Sequence, residues 1–258
     1  MKIVALIFGV LVYSLFPNVT LAADAKLITV QTPRGASQPF LFAAPDKPKA
    51  GVILFVGGDG SLSKNEKNFL LRTYKDFVNK GLMVALIDVP SGKENIFPKF
   101  RISKKHASDM VAVIKYMNKK ADVPVWLVGT SLGTFSSASV AIKKQKWVSG
   151  LVLTSTVTAL DKKYGWSRKF PKGVLGLNLQ KLKKPVLIVA HKGDECAVTP
   201  PADASKLKGK LSRSPRVEIA MLEGGSFPES DPCHALSQHG FYGIEGEAVN
   251  RIAAFILQ

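Results

Sequence analysis

The chain has 258 residues, 46% of them hydrophobic, which is enough apolar content to bury one sizeable core. Lys and Arg number 36 against 19 Asp and Glu, so the formal charge of +17 favours nonspecific attraction to anionic surfaces such as lipid headgroups or acidic glycans. The basic residues are scattered and no DNA-binding helix pattern occurs, which argues against a specific nucleic-acid partner.

The first predicted element is an export signal over residues 1–22. Lys2 precedes an apolar run over residues 3–16, a proline breaks the run, and small residues follow around Ala22. We expect cleavage after Ala22, with Ala23 as the second choice. A retained membrane anchor is the alternative, but the run is shorter than the roughly 20 residues of a spanning helix. The sequence therefore predicts a periplasmic or secreted protein without a transmembrane segment in its mature chain.

The first half of the predicted mature chain alternates strands with amphipathic helices. An apolar run over residues 51–56 is typical of a parallel strand buried on both faces, and it ends at a glycine-rich turn over 57–60. Ser63 and Glu66 have the spacing of a capping box, which predicts that the next helix begins near residue 63. The predicted elements before Pro124 are strands at 26–31, 39–43, 51–56 and 82–89, a helix with its apolar face over 69–78 and a second helix over 104–121.

The stretch with the clearest chemistry follows a strand predicted over residues 125–128, which runs into Gly129-Thr-Ser131-Leu-Gly133. Small residues after this Gly-x-Ser-x-Gly pattern are suited to a buried helix that begins at Leu132. A sharp turn from strand to helix brings the two backbones close together, which leaves little room for side chains at Gly129 and Gly133. Because such a turn exposes the serine hydroxyl, we predict that Ser131 is a nucleophile.

The alternation continues to the end of the chain. It predicts strands at 148–154, 186–190 and 217–222 and helices at 202–211 and 247–257. The pattern indicates an α/β protein with a mostly parallel, doubly wound sheet, helices on both faces and one domain over residues 23–258. A short insertion between Thr154 and Pro185 lies where a lid often occurs. Its basic and aromatic residues either form a rim that favours anionic substrates or pack a solvated loop.

Cys196 and Cys233 are the only cysteines in the sequence. An exported protein enters an oxidising compartment, so we predict that they form a disulfide. Two free buried thiols are the alternative. A nucleophilic role is not expected for either cysteine, because neither lies in the strand-turn-helix context of Ser131.

The order of these parts resembles the α/β-hydrolase family over nearly the whole predicted mature chain. Members of that family have a serine nucleophile after a central strand, followed on later loops by an Asp or Glu and then a His. The resemblance implies a triad of Ser131, Asp194 and His239. Glu195 and His234 remain the neighbouring alternatives for the acid and the base.

The residue types of this triad follow from acyl-transfer chemistry. A serine hydroxyl is hardly ionised near neutral pH, so an imidazole has to accept its proton and later protonate the leaving group. A carboxylate fixes the imidazole tautomer and stabilises its cation. The predicted disulfide would tie the loop of Asp194 to the loop of His239 and so hold the pair against local opening.

Attack on a carbonyl also places negative charge on oxygen, which backbone N–H groups stabilise. The resemblance implies the amide of Leu132 as one donor and an amide of the glycine-rich loop as the other, with Gly58 the first choice and Asp59 the second. The Asp59 carboxylate is expected to point away and to cap the next helix. The loop lacks the His-Gly start common in esterases, and no Lys-Ser/Thr completes a phosphate-binding loop.

Together these features predict an exported serine hydrolase that cleaves an ester or related acyl bond through an acyl-enzyme. The expected substrate is a small molecule or an acyl compound, and no metal or cofactor is expected. Peptidase, thioesterase and acyltransferase activities stay open, because a triad defines acyl transfer and leaves the acceptor undefined. A noncatalytic, envelope-associated binding protein on the same scaffold is the alternative from another class, against which the intact elbow at Ser131 argues.

Overall fold

Eight strands form one sheet in the part of the chain that the structure describes. The structure is a computed structural model that describes residues 25–159 and 161–258, and the predicted export signal lies outside these ranges. The strands are β1 (Lys26–Gln31), β2 (Ser37–Ala43), β3 (Ala50–Phe55), β4 (Leu82–Ile87), β5 (Val125–Ser131), β6 (Gly150–Thr156), β7 (Val186–His191) and β8 (Val217–Leu222). Their order is β1-β2-β4-β3-β5-β6-β7-β8. The pairs β1–β2 and β2–β4 are antiparallel and the others are parallel, so the sheet is mostly parallel, as predicted.

Helices cover both faces of this sheet. They are α1 (Phe69–Asn79), α2 (Pro98–Arg101), α3 (Lys104–Lys120), α4 (Gly133–Lys143), α5 (Ala204–Lys210) and α6 (Glu245–Leu257). Successive residues of β3 alternate between two buried clusters: Leu54 belongs to the cluster that includes Phe77 of α1, and Ile53 belongs to the cluster that includes Phe135 of α4. This is the doubly wound α/β architecture that the sequence predicts. Within the described ranges, no helix combines the length and the apolar character that crossing a membrane requires.

The beginning of α1 differs from the prediction. Asn68 is its N-cap, with Oδ1 accepting a hydrogen bond from the Leu70 N–H at 3.1 Å. The capping box predicted at Ser63 and Glu66 is therefore wrong. The residues before Asn68 form successive turns, in which the Asn65 amide donates to carboxylate and carbonyl oxygens of the same loop, so helical structure begins only afterwards.

Two other differences affect the site. Strand β5 continues to Ser131 instead of ending near residue 128, so the serine is the last residue of a central strand. Helix α2 was not predicted, because four residues are too few to show a helical period. The remaining strand and helix boundaries lie within two residues of their predicted positions, and the helix predicted at 202–211 begins as the 3-10 turn Pro201–Asp203.

Candidate active site

Ser131 lies at the turn from β5 into α4. Its φ of 52° is in the left-handed region, which costs a non-glycine residue about 1–3 kcal/mol and recurs at functional sites. The flanking glycines permit the turn. A Cβ atom at Gly129 would lie less than 3.0 Å from the Gly133 carbonyl oxygen, and one at Gly133 less than 3.0 Å from the Phe55 carbonyl oxygen. The close backbone approach expected of Gly-x-Ser-x-Gly is therefore present.

A buried carboxylate contacts a buried imidazole on the loops that follow β7 and β8. Asp194 follows β7, and its Oδ2 lies 3.1 Å from Nδ1 of His239, in the 3-10 turn that precedes α6. The two side chains are only 1% and 6% exposed. The other oxygen, Oδ1, accepts the Cys196 N–H at 3.0 Å. The structure thus brings together the two residues proposed from the resemblance as acid and base.

Thr199 is a further partner of this pair, which the sequence did not indicate. Its buried hydroxyl lies 2.9 Å from Asp194 Oδ2 and 3.1 Å from His239 Nδ1. When the Thr199 hydroxyl donates its hydrogen bond to Asp194 Oδ2, His239 Nδ1 also acts as a donor and bonds to the same carboxylate oxygen. A neutral imidazole then carries its proton on Nδ1 and leaves Nε2 free to accept one. This is the tautomer that a general base acting through Nε2 requires.

The backbone of His239 is anchored from two sides. The Ser155 hydroxyl, near the end of β6, donates to the His239 carbonyl at 2.7 Å, and the His239 N–H donates to Ser237 Oγ at 3.2 Å. The predicted disulfide is present between Cys196 and Cys233 and joins the loop after β7 to the loop before α6. These contacts connect the segment around His239 to β6 and to the loop that carries Asp194.

Glu195 and the other histidines lie in different surroundings. His234 also lines the cavity described below, but its side chain is 66% exposed and its Nδ1 is 3.9 Å from Asp231 Oδ2. Glu195 is exposed beside the buried Asp194. His191 accepts an N–H from its own loop and contacts a backbone carbonyl at 3.0 Å. His106 is fully buried in α3, where burial and two nearby guanidinium groups lower its pKa to about 3.

A cavity of about 650 Å³ is lined by both Ser131 and His239. Its walls come from the loop between β3 and α1 and the first residue of that helix, over residues 63–69, and from the loop between β8 and α6, over residues 229–240. Most of these wall side chains are polar or charged. In the described residues no hydrogen bond joins the Ser131 hydroxyl to His239; catalytic contacts of this kind commonly tighten only when a substrate is bound.

None of the described residues of the insertion after β6 lines this cavity. Trp166 and Phe170 pack edge-on against Phe135 of α4, with ring centroids 6.4 and 5.8 Å away. Tyr164 stacks on Trp166 at 5.7 Å. The aromatic side chains therefore pack the loop, which is the second of the two roles that the sequence left open.

Neither the Gly58 N–H nor the Leu132 N–H donates to an acceptor within the described part of the protein. Gly58 lines the cavity, and its neighbour Gly57 is so close to the elbow that a Cβ atom there would lie 2.9 Å from Ser131 Cβ. Leu132 follows the serine directly. Both N–H groups are thus available to an anionic oxygen that forms beside Ser131.

The Asp59 carboxylate is engaged within its own turn. Its Oδ1 accepts the Ser61 N–H at 3.0 Å and the Asn65 side-chain amide at 2.7 Å. The expectation that Asp59 caps the next helix is wrong, because α1 begins only after Asn68, which provides the cap itself.

Asp194, Cys196 and His239 also have atoms of metal-ligand type within 4.8 Å of one another. Cys196 Sγ is bonded to Cys233, however, and a metal ligand has to be a thiolate. The carboxylate and the imidazole that remain are bonded to each other. The cluster is therefore better explained as a hydrogen-bonded carboxylate–imidazole pair beside a disulfide than as a metal site.

Comparisons with known proteins support this description of the fold. No protein-family model matches the sequence, and no curated protein matches it significantly. Among solved structures, an esterase from Pyrococcus furiosus is 17% identical, with a TM-score of 0.64 over 90% of this chain and 91% of that one. An esterase from Pyrobaculum calidifontis is 17% identical, with a TM-score of 0.66 over 93% and 86%. A cold-adapted esterase from an Arctic intertidal metagenomic library is 17% identical, with a TM-score of 0.63 over 90% and 94%.

The chain therefore has the α/β-hydrolase fold, as the sequence resemblance predicted. At this level of identity the likeness shows the fold alone, and proteins that share a fold often differ in activity.

Proposed function

We propose that this protein is an exported serine hydrolase that cleaves a carboxylic ester, or a related acyl bond, through an acyl-enzyme on Ser131. One observation carries the proposal: Ser131, at a strained elbow, and His239, which is hydrogen-bonded to the buried Asp194, line the same cavity. Three solved structures of similar fold are named esterases, which adds support. The exposure of His234 supports His239 as the base.

The first half of the reaction forms the acyl-enzyme. His239 Nε2 accepts the Ser131 proton while Oγ bonds to the substrate carbonyl carbon, and the carbonyl π electrons move onto oxygen. Asp194 stabilises the imidazolium that results. The tetrahedral intermediate then expels the alcohol, which takes the proton from His239, and the acyl group stays on Ser131 as an ester.

Water reverses these steps. His239 accepts a proton from water as the water oxygen bonds to the acyl carbon, and collapse of the second tetrahedral intermediate releases the carboxylic acid. The Ser131 oxygen regains its proton from His239. In both intermediates the N–H groups of Gly58 and Leu132 stabilise the negative oxygen, a role in which one donor is worth about 10²–10³-fold in kcat in a serine protease.

The remaining features support a coarse substrate and location. The cavity volume of about 650 Å³ is typical of small-molecule sites, and its walls expose polar and apolar surface in similar amounts, which favours a substrate that has both polar and apolar groups. A disulfide persists in oxidising compartments, which supports export to the periplasm or the medium. The charge of +17 favours attraction to anionic surfaces there.

A fluorophosphonate probe tests the proposal directly. The folded, oxidised protein is expected to be labelled on Ser131, and Ser131→Ala to remain unlabelled. Ser63→Ala is the matched control, because Ser63 lines the same cavity without belonging to the proposed triad. Turnover of an ester, thioester and peptide panel should fall on the order of 10⁶-fold in Ser131→Ala and stay near wild type in Ser63→Ala.

Two outcomes would change the assignment. Absence of both labelling and turnover in the folded wild type contradicts a hydrolase and favours a binding protein on the same scaffold. Ser131-dependent turnover confined to the thioester or the peptide keeps the mechanism and replaces the substrate class.

A further inference from the structure

Arg101 ends the short helix α2 and is only 1% exposed. Its Nη2 lies within hydrogen-bond distance of three successive carbonyl oxygens in the loop after β3: those of Val56 at 3.1 Å, Gly57 at 3.2 Å and Gly58 at 3.2 Å. Two N–H bonds serve these three acceptors, so at least one is shared. A single buried cation therefore lies behind the segment that holds the proposed oxyanion donor Gly58.

The same guanidinium reaches two other segments. Nη1 donates to Ser136 Oγ in α4 at 3.1 Å, and Nε donates to the Ile96 carbonyl oxygen at 2.9 Å. Ser136 lies in the first turns of the helix that follows Ser131 and Leu132. Arg101 thus links the loop that carries one proposed oxyanion donor to the helix that follows the other.

Burial of this guanidinium opposes folding. Among the described residues Arg101 forms no salt bridge, and burial lowers its pKa to about 9, against the opposing charge of Asp59. A side chain needed only for packing here would be apolar, since moving an unpaired charge out of water costs free energy. The N–H donors of the Arg101 guanidinium therefore have a role that an apolar side chain could not fill.

Peptide geometry shows what these donors hold. In a trans peptide the C=O and N–H bonds point in opposite directions. The Gly57 carbonyl shares a peptide with the Gly58 N–H, and the Gly58 carbonyl shares the next with the Asp59 N–H. Because the Gly57 and Gly58 carbonyl oxygens accept hydrogen bonds from Arg101, the N–H groups of Gly58 and Asp59 point away from Arg101. Neither N–H group donates to an acceptor in the described part of the chain.

We propose that Arg101 is a positioning residue of the oxyanion hole: it fixes the two peptides around Gly58 against α4, so that the Gly58 and Leu132 N–H groups converge beside Ser131. The inference rests on the proposed function. Arg101 is not among the residues that line the cavity, so it acts through these peptides and does not touch the substrate. Its charge also polarises them, because hydrogen bonds in a low-dielectric interior strengthen one another.

The expected effect falls on the transition state. Arg101→Met should lower kcat by about 10²-fold, near the effect of losing one oxyanion donor, with KM within about threefold of wild type. Arg101→Lys should give an intermediate loss, because one ammonium group does not reproduce the fork. A trifluoromethyl ketone forms a tetrahedral adduct with an active serine. Its affinity should weaken by the same factor as kcat, whereas inhibition by the alcohol product, which carries no anionic oxygen, should not.

Two further variants keep this test interpretable. Arg34→Met is the matched control, because Arg34 is a part-buried arginine paired with Asp109 at 2.9 Å and makes no hydrogen bond to the loop after β3. It should lose thermal stability and keep kcat and ketone affinity. Ser136→Ala serves if Arg101→Met does not fold, because it removes only one acceptor of the Arg101 hydrogen bonds. It should lower both kcat and the affinity for the ketone by about two- to tenfold.

The outcomes separate the inference from the proposed function. Ser131-dependent turnover with unchanged kcat and ketone affinity in Arg101→Lys and Ser136→Ala overturns the role of Arg101 and leaves the hydrolase intact. A wild type without Ser131-dependent turnover contradicts the proposed function and the inference with it. Parallel losses of kcat and ketone affinity at constant KM support the inference.

Discussion

The two sides of the candidate site are built differently. The elbow side, which holds Ser131 and the loop after β3, consists mainly of backbone at the ends of two paired central strands, where Phe55 is in register with Gly129. The acid–base side consists of side chains, Asp194 and His239, on loops beyond β7 and β8 that a disulfide joins. The elbow side therefore depends on the packed sheet, whereas the acid–base side depends on contacts between loops. Different substitutions should therefore impair the function or the stability of each side.

The largest expected effect comes from removing the base. His239→Ala should lower kcat on the order of 10⁴–10⁶-fold, as loss of a triad member does elsewhere, while circular dichroism shows that the fold is retained. His234→Ala is the matched control and should change kcat by less than about tenfold, because that side chain is exposed and makes no contact with Asp194. Steady-state kinetics on one ester substrate decide the comparison. A larger loss in His234→Ala would reassign the base.

Removing the disulfide should weaken the acid–base side selectively. The double variant Cys196→Ser, Cys233→Ser should lose about 2–4 kcal/mol of unfolding free energy, since the bridge closes a long loop. Amides of the loop over residues 230–240 should exchange hydrogen faster, while those of β5 and α4 keep their protection. Unchanged thermal stability and activity after removal of the bridge would count against its role in holding the pair.

An effect that is absent at neutral pH and grows only in acid concerns the packing behind the elbow side. His106 is fully buried, contacts the Phe55 and Phe100 rings and has its pKa lowered to about 3, mainly by burial. His106 binds a proton near pH 6.5 in the unfolded chain but only near pH 3 in the folded chain. The stability that comes from burying the neutral imidazole is therefore complete above pH 6.5 and is lost as the pH falls towards 3.

Stability should therefore fall by up to about 1.4 kcal/mol per pH unit below pH 6.5 from this residue. Urea unfolding of wild type and His106→Phe between pH 7.5 and 4.5 measures it, with His234→Phe as an exposed control. The His106 variant should show the shallower slope. Identical slopes in the variant and the wild type would show that other groups cause the acid sensitivity.

Much of the fold was predictable because its signals are local. The strands Lys26–Gln31 and Val217–Leu222 have their predicted bounds, since runs of apolar and β-branched residues mark strands without reference to distant parts of the chain. The start of α1 was not predictable in the same way. Polar side chains in the preceding loop, Asn65 and Asp59 among them, bond to each other and hold it in turns, which overrides the capping-box spacing at Ser63.

The sequence alone determined the elbow at Ser131, the order of the parts and the cysteine pair, because glycine spacing, strand-helix alternation and a count of two cysteines are properties of the chain itself. Only the tertiary structure decided that His239 rather than His234 meets Asp194, that Thr199 joins them across 40 residues, and that Arg101 reaches Gly57 across 44. The physical reason is that these contacts depend on where loops and a short helix lie relative to the sheet edge, and residue spacing along the chain does not encode that position.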